Sequence, residues 1–509
     1  MNTELTKAFD HTYSNFRKIT PVNGFDAANP DNAMQNNYAW SMTELGDYIY
    51  VGTARNIPYS IFSNQIFGDI PIPEELTPEN PVLRGEIWRR RKCDHHAWER
   101  VYRSPENLVD LGFRFMITYT TPGGETAIYA GALTLSPNLF MVKSTDGVNW
   151  RPLQSNIQGF STRYMAEHRG KLYMGALPIT GLAGIQLYSS FDPEQDGWEL
   201  VDVNGDPDKN PRGNVDLLLS YNNHLYVGTG RPTGFELWRT IGTEPERDKW
   251  KLVVDQGAGD ARNEHPWALA VFKDYIYIGT AIEAAVLSLN PDQRIVPPKG
   301  FDVIRVDRYD NWELVVGGPA IVPTQPVTGT RELPLSGYSS GFGNISNAYC
   351  WQLQRQGNEL YLGTFSWSVL IPPFIPLLPE ILRNLLSLNA KGYQSSLTDY
   401  FKYLLQADPR LSHLPLENVL QWVADLLMKL GQRTLGFDLW KTTDGIHWVP
   451  VSLNGLGNPH NYGVRMLFLS QNDCLYLGTA NPFDGLEVWV KPQHCIFDDA
   501  DETLKSGAE

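Results

Sequence analysis

The amino-acid sequence predicts an all-β fold: a seven-bladed β-propeller whose last blade is closed by an N-terminal strand, with a small α-helical cap inserted in blade six. Three observations carry that expectation. One short apolar phrase recurs seven times: Tyr48-Ile-Tyr-Val-Gly, Ala127-Ile-Tyr-Ala-Gly, Lys171-Leu-Tyr-Met-Gly, His224-Leu-Tyr-Val-Gly, Tyr275-Ile-Tyr-Ile-Gly, Glu359-Leu-Tyr-Leu-Gly and Cys474-Leu-Tyr-Leu-Gly. A Trp with an apolar residue about three positions later recurs out of phase with it, at Trp98, Trp150, Trp198, Trp250, Trp312 and Trp448. A single long insertion carries helical rather than alternating periodicity.

Each blade is read in order from these signals. Most copies of the phrase follow another apolar strand across a tight polar turn (Gly170-Lys171, Asn222-Asn223, Gln356-Gly357), which is hairpin chemistry. The third strand reads Glu86-Ile-Trp, Glu236-Leu-Trp, Asp438-Leu-Trp or Glu487-Val-Trp, and the Trp run is the fourth. Four strands per repeat of roughly 50 residues suit radial closure, which leaves only short protected edges. The fourth strands number one too few, and Phe16-Arg-Lys-Ile-Thr-Pro-Val-Asn-Gly-Phe parallels Trp448-Val-Pro-Val-Ser-Leu-Asn-Gly-Leu, so the N-terminus is expected to supply the missing outer strand. The alternative is an open ring with a three-stranded last blade. The expected division is propeller over 1–367, cap over 368–434, propeller again over 435–492, and an acidic tail over 493–509.

Connections from strand two to three, and from strand four to the next strand one, emerge on one face. The long insertions, about 30 residues after Thr53, about 20 after Thr280 and roughly 70 after Thr364, therefore share that face. In the longest, Leu416, Val419, Leu420, Val423, Leu426, Leu427 and Leu430 keep helical spacing up to Gly431. Leu397 to Leu404 and Ile381 to Leu386 make two more short helices. The lead-in from Trp367 through Phe374 is unusually apolar for a loop. It either packs the cap on the rim, lines a path for an apolar substrate, or touches a membrane surface.

The 509 residues carry 42 Lys and Arg against 57 Asp and Glu, a net charge of −15, with 42% apolar residues. A disordered chain is excluded, and with no cationic block so is a phosphate-backbone partner. Met1 to Thr20 lacks an apolar core, so the expected compartment is the cytoplasm. The propeller is expected to be a monomer. Cys93, Cys350, Cys474 and Cys495 lack metal-binding spacing and read as reduced thiols, with Cys474 and Cys495 the one pair weighed as a bridge. No cofactor is expected. Asp202-Val-Asn-Gly-Asp206-Pro-Asp208 begins like a calcium loop but lacks the later glycine and acid, leaving calcium or a solvated acidic loop.

Counting back from each phrase to the top of the innermost strand reaches Trp40, Arg114, Arg163, Asp216, Trp267, Trp351 and Arg465. Buried strand ends seldom take Arg without a partner or ligand, because an unpaired guanidinium is costly to desolvate. The arginines either bridge neighbouring blades or hold an anion beside the Trp walls. His265, His460 and Tyr462 lie on the adjoining connections and are candidate proton-transfer groups. Trp367 and Phe374 of the lead-in are candidate substrate-binding residues.

Ser144-Thr-Asp-Gly-Val-Asn-Trp150 and Thr442-Thr-Asp-Gly-Ile-His-Trp448 resemble the Asp-box of sialidase-type propellers, with Asp and Gly one residue closer than in that family. The resemblance implies a structural turn, not a site. Sialidases have six blades and a Phe/Tyr-Arg-Ile-Pro motif that is absent here. Carotenoid-cleaving oxygenases have seven blades and an iron held by four inner-strand His, whereas His168 and His224 fall at the hairpin end. In blade number and apolar capping the chain resembles the propeller half of the alkylating enzyme of cylindrocyclophane synthesis. That resemblance implies alkyl transfer in specialised biosynthesis. Two functions are carried forward: an enzyme acting on a small, largely apolar molecule with a polar or anionic head, and a non-catalytic propeller that binds a protein or lipid through its cap.

Overall fold

The computed structural model describes residues 12–63, 71–92, 97–134, 138–155, 157, 159–177, 185–203, 205–282, 288–289, 295–296, 299–377, 380 and 435–492. The three cap helices expected within 381–430, the acidic tail, Cys93 and Cys495 lie outside the described residues. What is described is mainly β-structure with a few short helical turns.

Two short strands open it, β1 (Thr12–Tyr13) and β2 (Phe16–Lys18). Four-stranded antiparallel meanders then follow. The first is β3 (Asn36–Leu45), β4 (Tyr48–Arg55), β5 (Glu86–Arg91) and β6 (Glu99–Arg103). The second is β7 (Asp110–Thr120), β8 (Thr126–Thr134), β9 (Met141–Ser144) and β10 (Arg151–Leu153). The third is β11 (Ser161–His168), β12 (Lys171–Leu177), β13 (Leu187–Ser190) and β14 (Glu199–Leu200). The fourth is β15 (Asn214–Tyr221), β16 (His224–Gly230), β17 (Glu236–Thr240) and β18 (Trp250–Val254). The fifth is β19 (His265–Phe272) and β20 (Tyr275–Ala281), then, beyond the short pair β21 (Ser288–Leu289) and β22 (Ile295–Val296), β23 (Val303–Val306) and β24 (Trp312–Val316). The sixth is β25 (Asn347–Gln356), β26 (Glu359–Ser366), β27 (Leu439–Thr442) and β28 (Trp448–Ser452). The last three strands are β29 (Gly463–Leu469), β30 (Leu475–Ala480) and β31 (Val488–Lys491).

The outer edge of β31 is covered by β2, with Arg17 opposite Val490 and Lys18 opposite Trp489. Lys18 Nζ adds an ion pair of 2.7 Å to Glu487. The innermost strands pack in a circuit: β3 on β7, then β11, β15, β19, β25 and β29, and β29 back on β3. This is β-propeller architecture, and the apolar side chains fill the spaces between successive sheets. Trp88 and Trp98 from one end of the chain share a core with Tyr476 and Val488 from the other.

Local chemistry explains the turns. Asn222 and Asn223 take φ of 49° and 61°, the left-handed pair that a two-residue hairpin with native strand twist requires. In the two Asp turns, Asp146 Oδ1 accepts from the amides of Val148 and Asn149, both at 2.8 Å. Asp444 Oδ1 accepts from Ile446 at 2.9 Å and His447 at 2.8 Å. The glycine that follows each Asp meets the preceding meander: a Cβ on Gly147 would lie 1.8 Å from Tyr50 Oη, and one on Gly445 1.9 Å from Tyr277 Oη. Both tyrosines belong to the recurring phrase, so the two sequence repeats are two sides of one contact.

A further repeat clamps the strand-four to strand-one connections. Asn36, Asn263, Asn347 and Asn461 donate through Nδ2 to the acid that opens strand three, Glu86 (2.9 Å), Asp302 (2.9 Å), Asp438 (2.7 Å) and Glu487 (2.7 Å). The same amides also donate to the carbonyls of Gly24, Gly257, Gly341 and Gly455. The lead-in that follows β26 winds into short helical turns over Trp367–Leu370, Ile371–Phe374 and Ile375–Leu377.

Candidate functional site

The innermost strands enclose a cavity of about 580 Å³, within the range that holds small-molecule ligands. Trp40, Arg114, Arg163, Asp216, Trp267 and Arg465 line one level of it. The expectation from strand counting therefore brings together six residues from six strands.

Asp216 is the fixed point. Its carboxylate is fully buried, lies 3.0 Å from Arg163 Nη1, and accepts from His265 Nδ1 at 2.6 Å. The approach of His265 depends on Gly230, where a Cβ would stand 2.3 Å from both Asp216 Oδ2 and His265 Nδ1. Arg163 lies over the Trp267 ring at 4.5 Å, and Arg114 over Trp40 at 5.6 Å. Cation–π contact of this kind orients a guanidinium without neutralising it.

Arg465 lacks the Asp216 ion pair that Arg163 has. It is 8% exposed and lies over Trp351 at 5.3 Å, and its Nε, like that of Arg163, has no hydrogen-bond partner. Among the described residues no carboxylate forms an ion pair with it. Burial, with the Arg163 charge adding to it and Tyr38 opposing it, pulls its pKa down to about 9, so the group is still cationic at neutral pH. An uncompensated buried cation is expensive. It stands on the cavity wall.

Above this level the channel is filled by aromatic rings. Tyr38 meets Trp351 at 5.8 Å and Tyr462 at 5.7 Å; Phe365 meets Trp351 at 5.0 Å and Tyr349 at 4.8 Å; Tyr349 reaches Trp267 at 5.4 Å. Val369 and Leu370 of the lead-in pack against the same layer. Trp351, Tyr462 and His265 thus stand directly behind the lining, Trp351 and Tyr462 within this layer and His265 behind Asp216. The Tyr462 hydroxyl is buried without a hydrogen-bond partner.

Three expected site residues sit elsewhere. His460 is at the surface, bonded to Asp484 at 2.8 Å and packed on Phe483. Trp367 is buried with Ala348 and Ile371. Phe374 packs on Phe62 at 5.0 Å, joining the lead-in to the first blade's insertion. In the acidic loop, Lys209 pairs with Asp206 at 3.0 Å and Asp248 accepts the Asp206 amide at 2.7 Å. Strand counting missed the polar lining at the opposite end, Thr43, Thr118, Thr120, Thr126, Gln354 and Gln471. Thr43 stands on β3, Thr118 and Thr120 on β7, Thr126 on β8 and Gln354 on β25, with Gln471 in the turn after β29.

The chain matches no family model and no curated protein. Solved structures match it at low similarity. The β-propeller domain of the Trilobed protease from Pyrococcus furiosus is 5% identical, with a TM-score of 0.40, over 89% of this chain and 95% of that one. The computationally designed Ika8 protein is 10% identical, with a TM-score of 0.37, over 89% and 96%. Trypanosoma rangeli sialidase in complex with sialic acid is 9% identical, with a TM-score of 0.34, over 65% and 52%. No residue role passes from these to the present chain; its fold rests on the strand pairings above. No described helix is long and apolar enough to cross a membrane.

Proposed function

We propose that the seven meanders are the blades of one closed ring, and that the cavity on its axis belongs to an enzyme whose substrate is a small, largely apolar molecule with an anionic head. The observation that supports this is Arg465, a buried guanidinium with no acid partner among the described residues, turned to the same cavity level as Arg163 and Arg114. A bound carboxylate supplies the missing charge and accepts the directed N–H groups that a ring face leaves unused. Trp40 and Trp267 provide the apolar walls. The Asp216–His265 pair is the proton-transfer unit: Asp216 faces the cavity, and His265 behind it orients the carboxylate through Nδ1.

The test uses octanoate and octylamine as matched probes. Octanoate is expected to bind and raise the melting temperature while octylamine does not. Arg465→Lys should weaken octanoate binding tenfold or more, because a point charge cannot reproduce the guanidinium fork. Equal response to both probes, or Arg465→Lys binding like the parent, overturns the reading.

A further inference from the structure

The route to the arginines follows from what fills the channel on either side of them. On the side of the long insertions stands the layer formed by Tyr38, Trp351, Tyr462, Phe365 and Tyr349, backed by Val369. On the other side the cavity continues along the inner strands, past Met42 and Met466, to residues at or beside the strand-one to strand-two hairpins, Thr120, Thr126 and Gln471. Among the described residues, no lining residue comes from the insertions. The cavity therefore reaches the hairpin face, opposite the lead-in at Val369.

That end has its own chemistry. Thr43 and Thr118 share a hydrogen bond of 2.9 Å, and Thr120 and Thr126 one of 2.8 Å. Glu44 Oε1 accepts the Gln471 amide at 2.8 Å and its other oxygen lies 2.5 Å from Lys92, so its charge is already matched. Hydroxyl and amide groups remain, without a net charge to repel or attract. From Arg465 to Leu469 is four residues, about 13 Å at about 3.3 Å per residue of strand.

We infer that the ligand enters head first through the hairpin face, and that Thr118, Thr120, Thr126, Gln354 and Gln471 form a second, neutral polar subsite for its far end. This deepens the anion reading and rests on it for the identity of the head. The ligand class is an elongated amphiphile: an anion at one end, an apolar middle against Met42, Phe115 and Met466, and a hydrogen-bonding group at the other. An ω-hydroxy carboxylate is the simplest member.

Two measurements test it. The first needs no ligand. Met466→Cys, below the arginine level, should react with a methanethiosulfonate reagent faster than the parent's own thiols. Adding Thr126→Trp and Gln471→Trp, both at exposed positions, should slow that reaction at least tenfold. Phe374→Trp on the insertion side should leave it unchanged. A rate indifferent to the two mouth substitutions, or slowed by Phe374→Trp, overturns the route. The second compares 10-hydroxydecanoate with decanoate. The hydroxylated probe should bind several-fold tighter, and Thr118→Val with Thr120→Val should abolish that preference. Equal affinity in the parent overturns the polar subsite. Gated labelling without binding of either carboxylate upholds the route while removing the anion reading, so the two failures are distinguishable.

Discussion

At the residue scale, the same position in neighbouring blades shows how partners decide a charge. Asp302 and Asp438 both open strand three, and each accepts from the Asn of its own clamp. Burial raises both, but Lys299 and Arg331 outweigh it at Asp302 and hold that carboxyl down to about 2. Asp438 has only neutral donors, and burial pushes it up to about 6. The signs of their pH effects are opposite. Asp302 contributes stability above the unfolded carboxylate range, lost as pH falls toward 2; Asp438 binds its proton more tightly when folded, so stability falls as pH rises from about 4 to about 6. Asp438→Asn keeps an acceptor for Asn347 and removes the titration. We expect it to flatten urea-unfolding stability across pH 4 to 6 and to raise stability at pH 7, by up to about 3 kcal/mol for a two-unit shift. An unchanged slope would refute this. Arg465 is the converse case, a charge kept where stability disfavours it. Arg465→Met should raise the melting temperature of the ligand-free protein while removing octanoate binding, the exchange of stability for function expected at a binding group.

At the element scale, the turns between strands three and four join blade to blade. Gly147 takes φ of 72° and faces Tyr50 across the blade boundary. Gly147→Ala would meet both backbone strain and the phenol, so a loss of about 2 kcal/mol is expected. Tyr50→Leu removes the phenol atoms that the new Cβ would meet at 1.8, 2.4 and 2.8 Å and should recover part of that loss in the double variant, whereas strain alone would leave the double variant no better; a double-mutant cycle by chemical denaturation reads the difference. Tyrosine in the phrase and glycine in the Asp turn were both legible in the sequence, because each recurs at fixed spacing. Their contact was not, since nothing in one repeat names its neighbour. The Asn clamps were missed for a related reason: Asn263, Asn347 and Asn461 look like ordinary loop residues until their partners 26 to 91 positions away are brought beside them. The inner-strand lining was largely legible, Trp40, Arg114, Arg163, Asp216, Trp267 and Arg465 following from a fixed count back from each recurring phrase, with allowance for hairpin length. His460 was not, because its position two residues before Tyr462 does not reveal that it turns out to Asp484. Nor was the side from which the cavity opens. Loop lengths mark the crowded face, but only the packed rings of Tyr38, Trp351 and Tyr462 show that this face is filled.

At the scale of the whole molecule, the arrangement depends on joining the two ends of the chain. The β31 edge presents backbone donors and acceptors that β2 satisfies, and an uncovered edge is a template for pairing with another copy. Phe16 anchors that strand: it is fully buried, packs edge-on to Tyr361 at 6.1 Å, and shares a core with Trp489 and Leu477. Phe16→Ala leaves the backbone pairing available and removes only the side chain, so it should cost about 3–5 kcal/mol, the range for a buried Phe reduced to Ala. Deleting residues 1–20 removes the pairing as well. If β2 merely decorates a finished ring, the deletion should cost no more than Phe16→Ala and remain monomeric. If it closes the ring, the deletion should melt lower than Phe16→Ala and self-associate with rising concentration, which sedimentation velocity would show. A synthetic peptide of residues 12–23 added in trans should then restore the monomer and much of the melting temperature. The cavity wall gives a second readout, because Trp40 and Arg465 stand on β3 and β29, the two inner strands that meet at this junction. Octanoate affinity should therefore fall in the deletion and return with the peptide, whereas for Phe16→Ala, measured well below its melting temperature, it should stay close to the parent value.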